Sequence, residues 1–421
     1  MAHVDPSGPR SRPEIKQVEF NTIASSFAGL ADRVSQLHKH LLSISAYPSN
    51  PLFTSSALPQ NESITSIAGG LAASHLSYGP SISTPPLPLC VVIIVQDPER
   101  NVFDQRHLEY ALQSEHQIPI YRLPFAQVLS QVRVGPTPLR PLIYEPPHLN
   151  AAYEVTTVYF RAGYSPDDYA SPSAWSARLL LERSAAIKCP SILTHLAGCK
   201  KVQQVLATPS SPYLSRFLSS SSNENESRVR QTFTNIYPLD ATSPAGQHAR
   251  RLALDPVTAQ HYVLKPQREG GGNNVYRRAI PPFLKSIPEA NWKGYVLMEI
   301  IEPPALENSI FRNGDLVTGG VIGELGVYGV CLWRSGKSKG HDSGEGNEDG
   351  GVTARDKKEG EKKVTTTTHG EDRKNETVAS KPEIIKNWQA GYLLRTKGHE
   401  SEEGGVAAGF GCMDSCLLVD V

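Results

Sequence analysis

The stretch Tyr262-Val-Leu-Lys265-Pro266-Gln267-Arg268-Glu269-Gly270-Gly271-Gly272-Asn273-Asn274-Val-Tyr276 holds the densest chemistry in the sequence. A strand-like apolar lead delivers Lys265. Three consecutive glycines then let backbone N–H groups approach phosphate oxygens with no side chain in the way. Glu269 stands beside them as a hard oxygen ligand that could hold Mg²⁺ against the same phosphates. The glycines alone describe an ordinary hairpin turn. Lysine, carboxylate and bare amides together describe a nucleotide site.

Other chemistry-bearing residues carry less when read singly. Arg100, Arg161 and Arg395 are each ordinary surface guanidiniums until something groups them. Cys412-x-x-x-Cys416 and the thirteen histidines show no metal spacing. Gly336-Lys337-Ser338 resembles the end of a phosphate loop, but Cys331 stands where the first glycine belongs, so it is a chance match.

The elements that must position these groups follow from hydrophobic periodicity. Residues 15–23 alternate apolar and polar side chains, which predicts a half-buried strand with Glu19 and Asn21 on one face. A helix is expected over about 30–45 and a short one near 64–76. From Leu89 the pattern becomes strand (89–96), helix (102–115), strand (118–122), helix (124–131), proline-rich loop, strand (153–160) and helix (172–187), which is the signature of a parallel α/β unit. A helix near 196–206 and strands at 261–265, 294–301 and 317–331 form a second α/β region. The expected divisions are 1–88, 89–190 and 191–421. Within the last, residues 335–381 carry ten basic and ten acidic residues and hardly an aliphatic one, and are expected to be a disordered insertion.

Lysine plus arginine equals aspartate plus glutamate, 42 each, so no global field favours nucleic acid or an anionic membrane. The longest strongly apolar run, Leu89–Val95, covers about a third of the roughly 20 residues a membrane helix needs. Six scattered cysteines without a C-x-x-C pair suggest reduced thiols. The first residues lack a signal core or transit pattern, so a cytoplasmic location is expected.

The string from Lys265 to Asn274 resembles the nucleotide loop of eukaryotic glutathione synthetases. Further segments extend the similarity in order: Val18-Glu19-Phe-Asn21, Glu99-Arg100-Asn101-Val-Phe-Asp-Gln105, Tyr159-Phe-Arg161-Ala162-Gly163-Tyr164, Leu196-Ala-Gly-Cys-Lys200, Leu297-Met298-Glu299, Glu324-Leu-Gly-Val-Tyr-Gly329, and Leu393-Leu-Arg395-Thr-Lys397 leading to Gly404-Gly-Val406-Ala407. The resemblance implies an α/β ATP-grasp fold with an inserted parallel α/β substrate-binding domain. It implies an ATP-dependent ligase that joins γ-glutamylcysteine to glycine through an acyl phosphate, requires Mg²⁺, and forms a homodimer.

By the same similarity Glu19, Asn21 and Glu269 would hold Mg²⁺, and Lys200, Lys265 and Arg395 would act in catalysis. Nucleotide contacts would come from Glu19, Lys200, the Lys265–Asn274 string, Tyr276, Met298, Glu299, Ile300, Ile301, Glu324, Lys397 and Glu403. The dipeptide and glycine would meet Ile23, Ala24, Ser25, Ser26, Glu99, Arg100, Asn101, Gln105, Arg161, Ala162, Gly163, Tyr164, Arg395, Val406 and Ala407. Arginines suit the substrate carboxylates because a guanidinium meets a carboxylate through two parallel hydrogen bonds. The sequence departs from the family pattern at Ala24, Ala162 and Ile300. The resemblance also implies helices and a glycine-gripping arginine ahead of Glu19, which this sequence does not contain. Two rival readings are a nucleotide-binding relative without turnover and a ligase using another amine acceptor.

Overall fold

The computed structural model describes residues 2–3, 14–209, 211–218, 223–304, 306–312, 314–336, 382–401, 406 and 411–419. They fall into two compact units, 1–330 with 388–421, and 331–387. Nearly all of the expected insertion at 335–381, together with Glu403 and Ala407, lies outside the described residues.

A two-residue ladder of β1 (Ala2–His3) with β2 (Glu14–Ile15) comes first. The strand expected over 15–23 is confined to its first residue. Residues 16–22 run on as an irregular segment, held to the body by the Gln17 N–H donating to Thr232 O. Helices α1 (Ala28–Ser43) and α2 (Ser63–Tyr78) follow close to their expected limits.

The first large sheet contains β3 (Leu89–Val95), β4 (Ile120–Pro124), β5 (Val132–Val134), β6 (Leu142–Tyr144), β7 (Tyr153–Phe160) and β8 (Ile187–Cys189), with the order β4-β3-β7-β6-β5 and β8 paired to β7. Helices α3 (Val102–His116), α4 (Val128–Gln131) and α5 (Pro172–Arg183) belong to this region. Strands β4, β3, β7 and β8 run parallel, as the alternation of elements predicts. The hairpin β5–β6 adds an antiparallel edge where the sequence suggests only a proline-rich loop. In β3 the residues Cys90–Ile94 are at most 1% exposed, which matches the continuous apolar run of a strand covered on both faces. Each such Val or Ile contributes about 1.5–3 kcal/mol by leaving water.

Helix α5 stops at Arg183 rather than 187, because the backbone turns extended at Ser184 (ψ 166°) and leads into β8 at Ile187. The single helix expected at 196–206 is two: α6 (Ile192–Ala197) and α7 (Lys200–Ala207). The break falls at Gly198-Cys199. A Cβ on Gly198 would collide with Thr22 Oγ1 and come within 3.1 Å of Glu269 Oε1, so this residue is small because three segments converge on it.

The second sheet is antiparallel, in the order β11-β10-β12-β9, from β9 (Ile236–Pro238), β10 (Tyr262–Pro266), β11 (Val275–Tyr276) and β12 (Tyr295–Glu299). Leu264 and Leu297 face a core shared with helices Pro244–Leu254 and Ile280–Ser286. On the other face Val263, Val296 and Met298 pack with Val18 and Ala207. Lys265, two residues after Val263, shares that face, so strand alternation aims it at the Val18 segment.

The third sheet has the order β13-β14-β15-β16, with β13 (Leu306–Arg312), β14 (Asp315–Arg334), β15 (Glu383–Gly398) and β16 (Gly411–Asp414). In the smaller unit, Arg334 lies 3.9 Å from Glu383.

Candidate active site

Lys265 is 5% exposed, and its Nζ donates to Val18 O at 3.1 Å. Lys200, the first residue of α7, places Nζ 2.9 Å from Glu19 Oε2, with no other hydrogen-bond partner for that nitrogen among the described residues. Gln267 accepts from the Lys201 N–H at 2.8 Å, which leaves its own buried Nε2 without a partner, and Arg268 Nε is likewise unpartnered. Buried donors of this kind are costly unless something accepts from them. Gln267 and Arg268 lead directly into the glycine loop, where Gly270 (φ 94°) and Gly272 (φ 81°) occupy the left-handed region that side chains disfavour.

Two carboxylates share this corner and titrate in opposite senses. Burial alone would raise Glu19, but Lys200, Lys265 and Arg395 outweigh it and hold the group below its ordinary value. Burial pushes Glu269 up to about 6, and the Glu19 charge adds to the rise against the pull of Lys200. Asn21, two residues after Glu19, is exposed. Among the described residues no group of three His, Cys, Asp or Glu side chains converges as a metal cage. The donor set that the structure brings together is the two carboxylates, Glu19 and Glu269.

A second constellation lies at the carboxyl ends of the parallel strands, where open α/β sheets usually bind ligands. Arg161 follows β7 and is 3% exposed. Its Nη2 donates to Ser26 Oγ at 2.8 Å and lies 3.5 Å from Asp104 Oδ2. Its Nε has no partner. Glu99 accepts from the Asn101 N–H at 2.8 Å, while its buried Oε2 is unpartnered. Gly163 has φ 82°, and Asp168 accepts from the N–H groups of Gly163, Tyr164 and Ser165 at 3.0–3.1 Å. Gln105 is 1% exposed and accepts from Arg122 at 2.8 Å, so it braces the sheet end. Arg100 is exposed.

Between the two groups, Glu324 on β14 accepts from Arg395 at 2.9 Å and Lys397 at 3.2 Å, both on β15. Arg395 also acts electrostatically on Glu19. The remaining candidates are placed less directly. Glu299 accepts from Asn235 at 2.9 Å, and the Ile300 N–H donates to His261 O. Asn273 bonds its own glycine loop and Asn274 bonds Tyr276. Ile23, Ala162, Met298 and Ile301 are core side chains, so they can offer a ligand only their backbone. Pro266, Ala24, Ser25 and Val406 are partly exposed.

Sequence reasoning assigns no role to Asp104, which is fully buried. It accepts from the N–H groups of Phe27 and Gly29 at 2.8 Å and of Leu30 at 3.2 Å, capping α1 from 75 residues away, and from Asn101 at 3.1 Å. Residues 1–368 and 375–418 match the family described as eukaryotic glutathione synthase, ATP-binding domain. The chain belongs to this family.

Its similarity to named relatives spans nearly the whole sequence. It is 34% identical to the glutathione synthetase large chain of Schizosaccharomyces pombe over 96% of this chain and 71% of that one. It is 35% identical to the Dictyostelium discoideum glutathione synthetase, over 96% and 72%, and 34% identical to the human enzyme, over 96% and 70%. A solved glutathione synthetase-like effector from Globodera pallida shares the fold, with a TM-score of 0.64 at 18% identity, covering all of this chain and 74% of that one. The synthase-family chain is thus an α/β ATP-grasp protein and an ATP-using ligase. No described helix is long and apolar enough to cross a membrane.

Proposed function

We propose that the chain catalyses the reaction for which its relatives are named, joining γ-glutamylcysteine to glycine at the expense of ATP. The observation that carries this reading is the pair of buried, unpartnered donors at Gln267 Nε2 and Arg268 Nε, in the same string as Lys265 and the glycine loop, together with the Lys200–Glu19 ion pair. A polyphosphate brings acceptors for such donors and negative charge for the two lysines.

The reaction proceeds in two balanced steps. A cysteinyl carboxylate oxygen attacks the γ-phosphorus, the bond to the bridging oxygen breaks, and ADP leaves. The glycine amine then attacks the acyl carbon, the carbon–oxygen bond to phosphate breaks, inorganic phosphate departs, and the amine proton passes to solvent. Lys200 and Lys265 hold the phosphates in line and offset the charge that accumulates on them. Arg395 lies between the nucleotide carboxylate Glu324 and Glu19, where it can follow the transferred group. Arg161 and the Ser25–Ser26 turn orient the dipeptide, and Glu99 Oε2 offers an acceptor to its ammonium. By the same family similarity Tyr164, Val406 and Ala407 belong to the dipeptide and glycine contacts and Glu403 to the nucleotide contacts.

Glu19, Glu269 and the Asn21 amide oxygen are hard donors of the kind Mg²⁺ takes, and would be the residues that hold it. When bound there, Mg²⁺ supplies charge neutralisation and polarises the transferred phosphoryl group. A homodimer is part of the reading by family similarity. A cytoplasmic setting agrees with six unpaired cysteines.

Incubating the purified chain with ATP, Mg²⁺, γ-glutamylcysteine and glycine and weighing the products by mass spectrometry tests the proposal. A tripeptide formed in equal amount with ADP supports it. Nucleotide binding without tripeptide overturns it in favour of a binding protein, and a tripeptide formed better with another amine corrects the acceptor.

A further inference from the structure

Strand β14 carries an alternation that the site described so far leaves unused. From Glu324 to Val330 the even-numbered residues face the molecule, while Leu325 and Val327 on the odd face are 54% and 63% exposed. Each inward residue has a defined neighbour. Glu324 meets Arg395 and Lys397, Gly326 lies against Leu393, the Tyr328 hydroxyl donates to Ser26 O at 2.7 Å, and Val330 packs on Gly70. One face of one strand therefore touches the nucleotide side through Glu324 and the dipeptide side through Tyr328, about 13 Å apart along the strand.

The turn that Tyr328 reaches does not hold its shape unaided. Ala24 (φ 51°) and Phe27 (φ 72°), on either side of Ser25-Ser26, both sit in the left-handed region. Non-glycine residues stay there only when their surroundings over-determine them. Three clamps do so here. Asp104 on α3 accepts from the N–H groups of Phe27, Gly29 and Leu30, Arg161 after β7 donates to Ser26 Oγ, and Tyr328 donates to the Ser26 carbonyl. The first two belong to the region of the first sheet. Only Tyr328 comes from the strand that also bears Glu324.

We propose that Tyr328 is a positioning residue for the dipeptide: its hydroxyl fixes the Ser25–Ser26 turn against β14, and so sets dipeptide affinity without touching the nucleotide. The inference rests on the function proposed above. Losing the hydroxyl frees the Ser26 carbonyl, the turn relaxes, and the serines lose register with Arg161 and Glu99. ATP groups, held by Lys200, Lys265 and the glycine loop, are left in place.

The test uses the full chain as wild type, Tyr328→Phe and Val327→Thr, the last on the outward face. Calorimetry measures the Kd of γ-glutamylcysteine and, separately, of a non-hydrolysable ATP analogue with Mg²⁺, and thermal melting checks folding. For Tyr328→Phe the dipeptide Kd should rise about 5–20-fold, the range expected for one lost hydrogen bond with an acceptor stranded, while the nucleotide Kd stays within about twofold. Val327→Thr should leave both unchanged. An unchanged dipeptide Kd in Tyr328→Phe overturns the proposal, as does a parallel weakening of both ligands, which would mark general loosening. Wild type that binds dipeptide but makes no tripeptide contradicts the ligase reading and leaves the Tyr328 comparison intact. Wild type that binds no dipeptide overturns both.

Discussion

At Gln267 and Arg268 the protein leaves buried donors without acceptors, whereas the turn at Ser26 has both its hydroxyl and its carbonyl held by distant residues, even though Arg161 Nε and Glu99 Oε2 nearby stay open. Asp104 alone accepts from four donors, three of them backbone N–H groups of the turn and of α1. On the function proposed above, the phosphate corner is unfinished and its ligand would complete it. The substrate turn is finished in advance, and its two left-handed residues show that the shape is imposed. The difference fits the chemistry. Phosphates bring charge and many acceptors, so a corner of unpaired donors suits them. A dipeptide must be held to a fraction of an ångström for its carboxylate to line up with the γ-phosphorus, so its turn is made rigid beforehand.

Removing a charge from the unfinished corner should have the largest effect on rate. Lys265→Met is expected to lower kcat/KM for ATP by roughly 10²–10³-fold, the loss found when one preorganised donor to developing charge is deleted. Its melting temperature should hardly fall, because a buried ammonium is exchanged for a thioether of similar length. A large loss of stability with near-normal turnover would reverse the contrast between the two regions.

Asp104→Asn should behave the other way round. It weakens three capping bonds and removes the partner of a nearly fully buried Arg161, so stability is expected to drop by about 3 kcal/mol, measured by urea unfolding. The KM for dipeptide should rise with it, and binding of the ATP analogue should persist in the folded fraction. Weakened nucleotide binding would show that the two regions are not separately built.

The smallest effect is a pH signature. Glu269 titrates near 6 when folded, above an ordinary glutamate, so its neutral form favours the fold. That contribution is fully present below the ordinary glutamate value and is lost as pH rises through about 6. Above pH 6 the ionised carboxylate therefore strains the ligand-free protein. Glu269→Gln should raise the melting temperature at pH 7.5 by about 1–3 °C and leave it unchanged near pH 4.5. Glu19 is depressed and works in the opposite sense, giving stability at neutral pH that fades as the solution is acidified through its folded value. A melting temperature for Glu269→Gln that falls at pH 7.5 would remove the claim that this corner is poised for a cation.

How much of this could be read from the sequence follows the same division. The lysine and glycine loop are legible because they are contiguous: Lys265 through Asn274 form one string, and strand alternation puts Lys265 on the face of Val18, whereas its neighbours Glu19 and Lys200 come from far away in sequence. Strand β3 is legible because burial on both faces leaves an unbroken apolar run, and β4 and β7 because β-branched and aromatic residues recur between helical stretches. The hairpin β5–β6 is not, because its strands are three residues long and lie among prolines. The break at Gly198 is also hidden, since the reason for it is Thr22, far away in sequence. Asp104 and Tyr328 act on a turn 77 and 302 residues from them. Nothing local distinguishes them from any other helical aspartate or strand tyrosine, and only the fold reveals what they hold.

The most direct test of the account is phosphate release by the purified chain with Mg²⁺, ATP and γ-glutamylcysteine, measured with and without glycine, beside Glu269→Ala. The account predicts release that accelerates when glycine is added and disappears in the variant. Release that ignores glycine, or that survives the loss of Glu269, would contradict it.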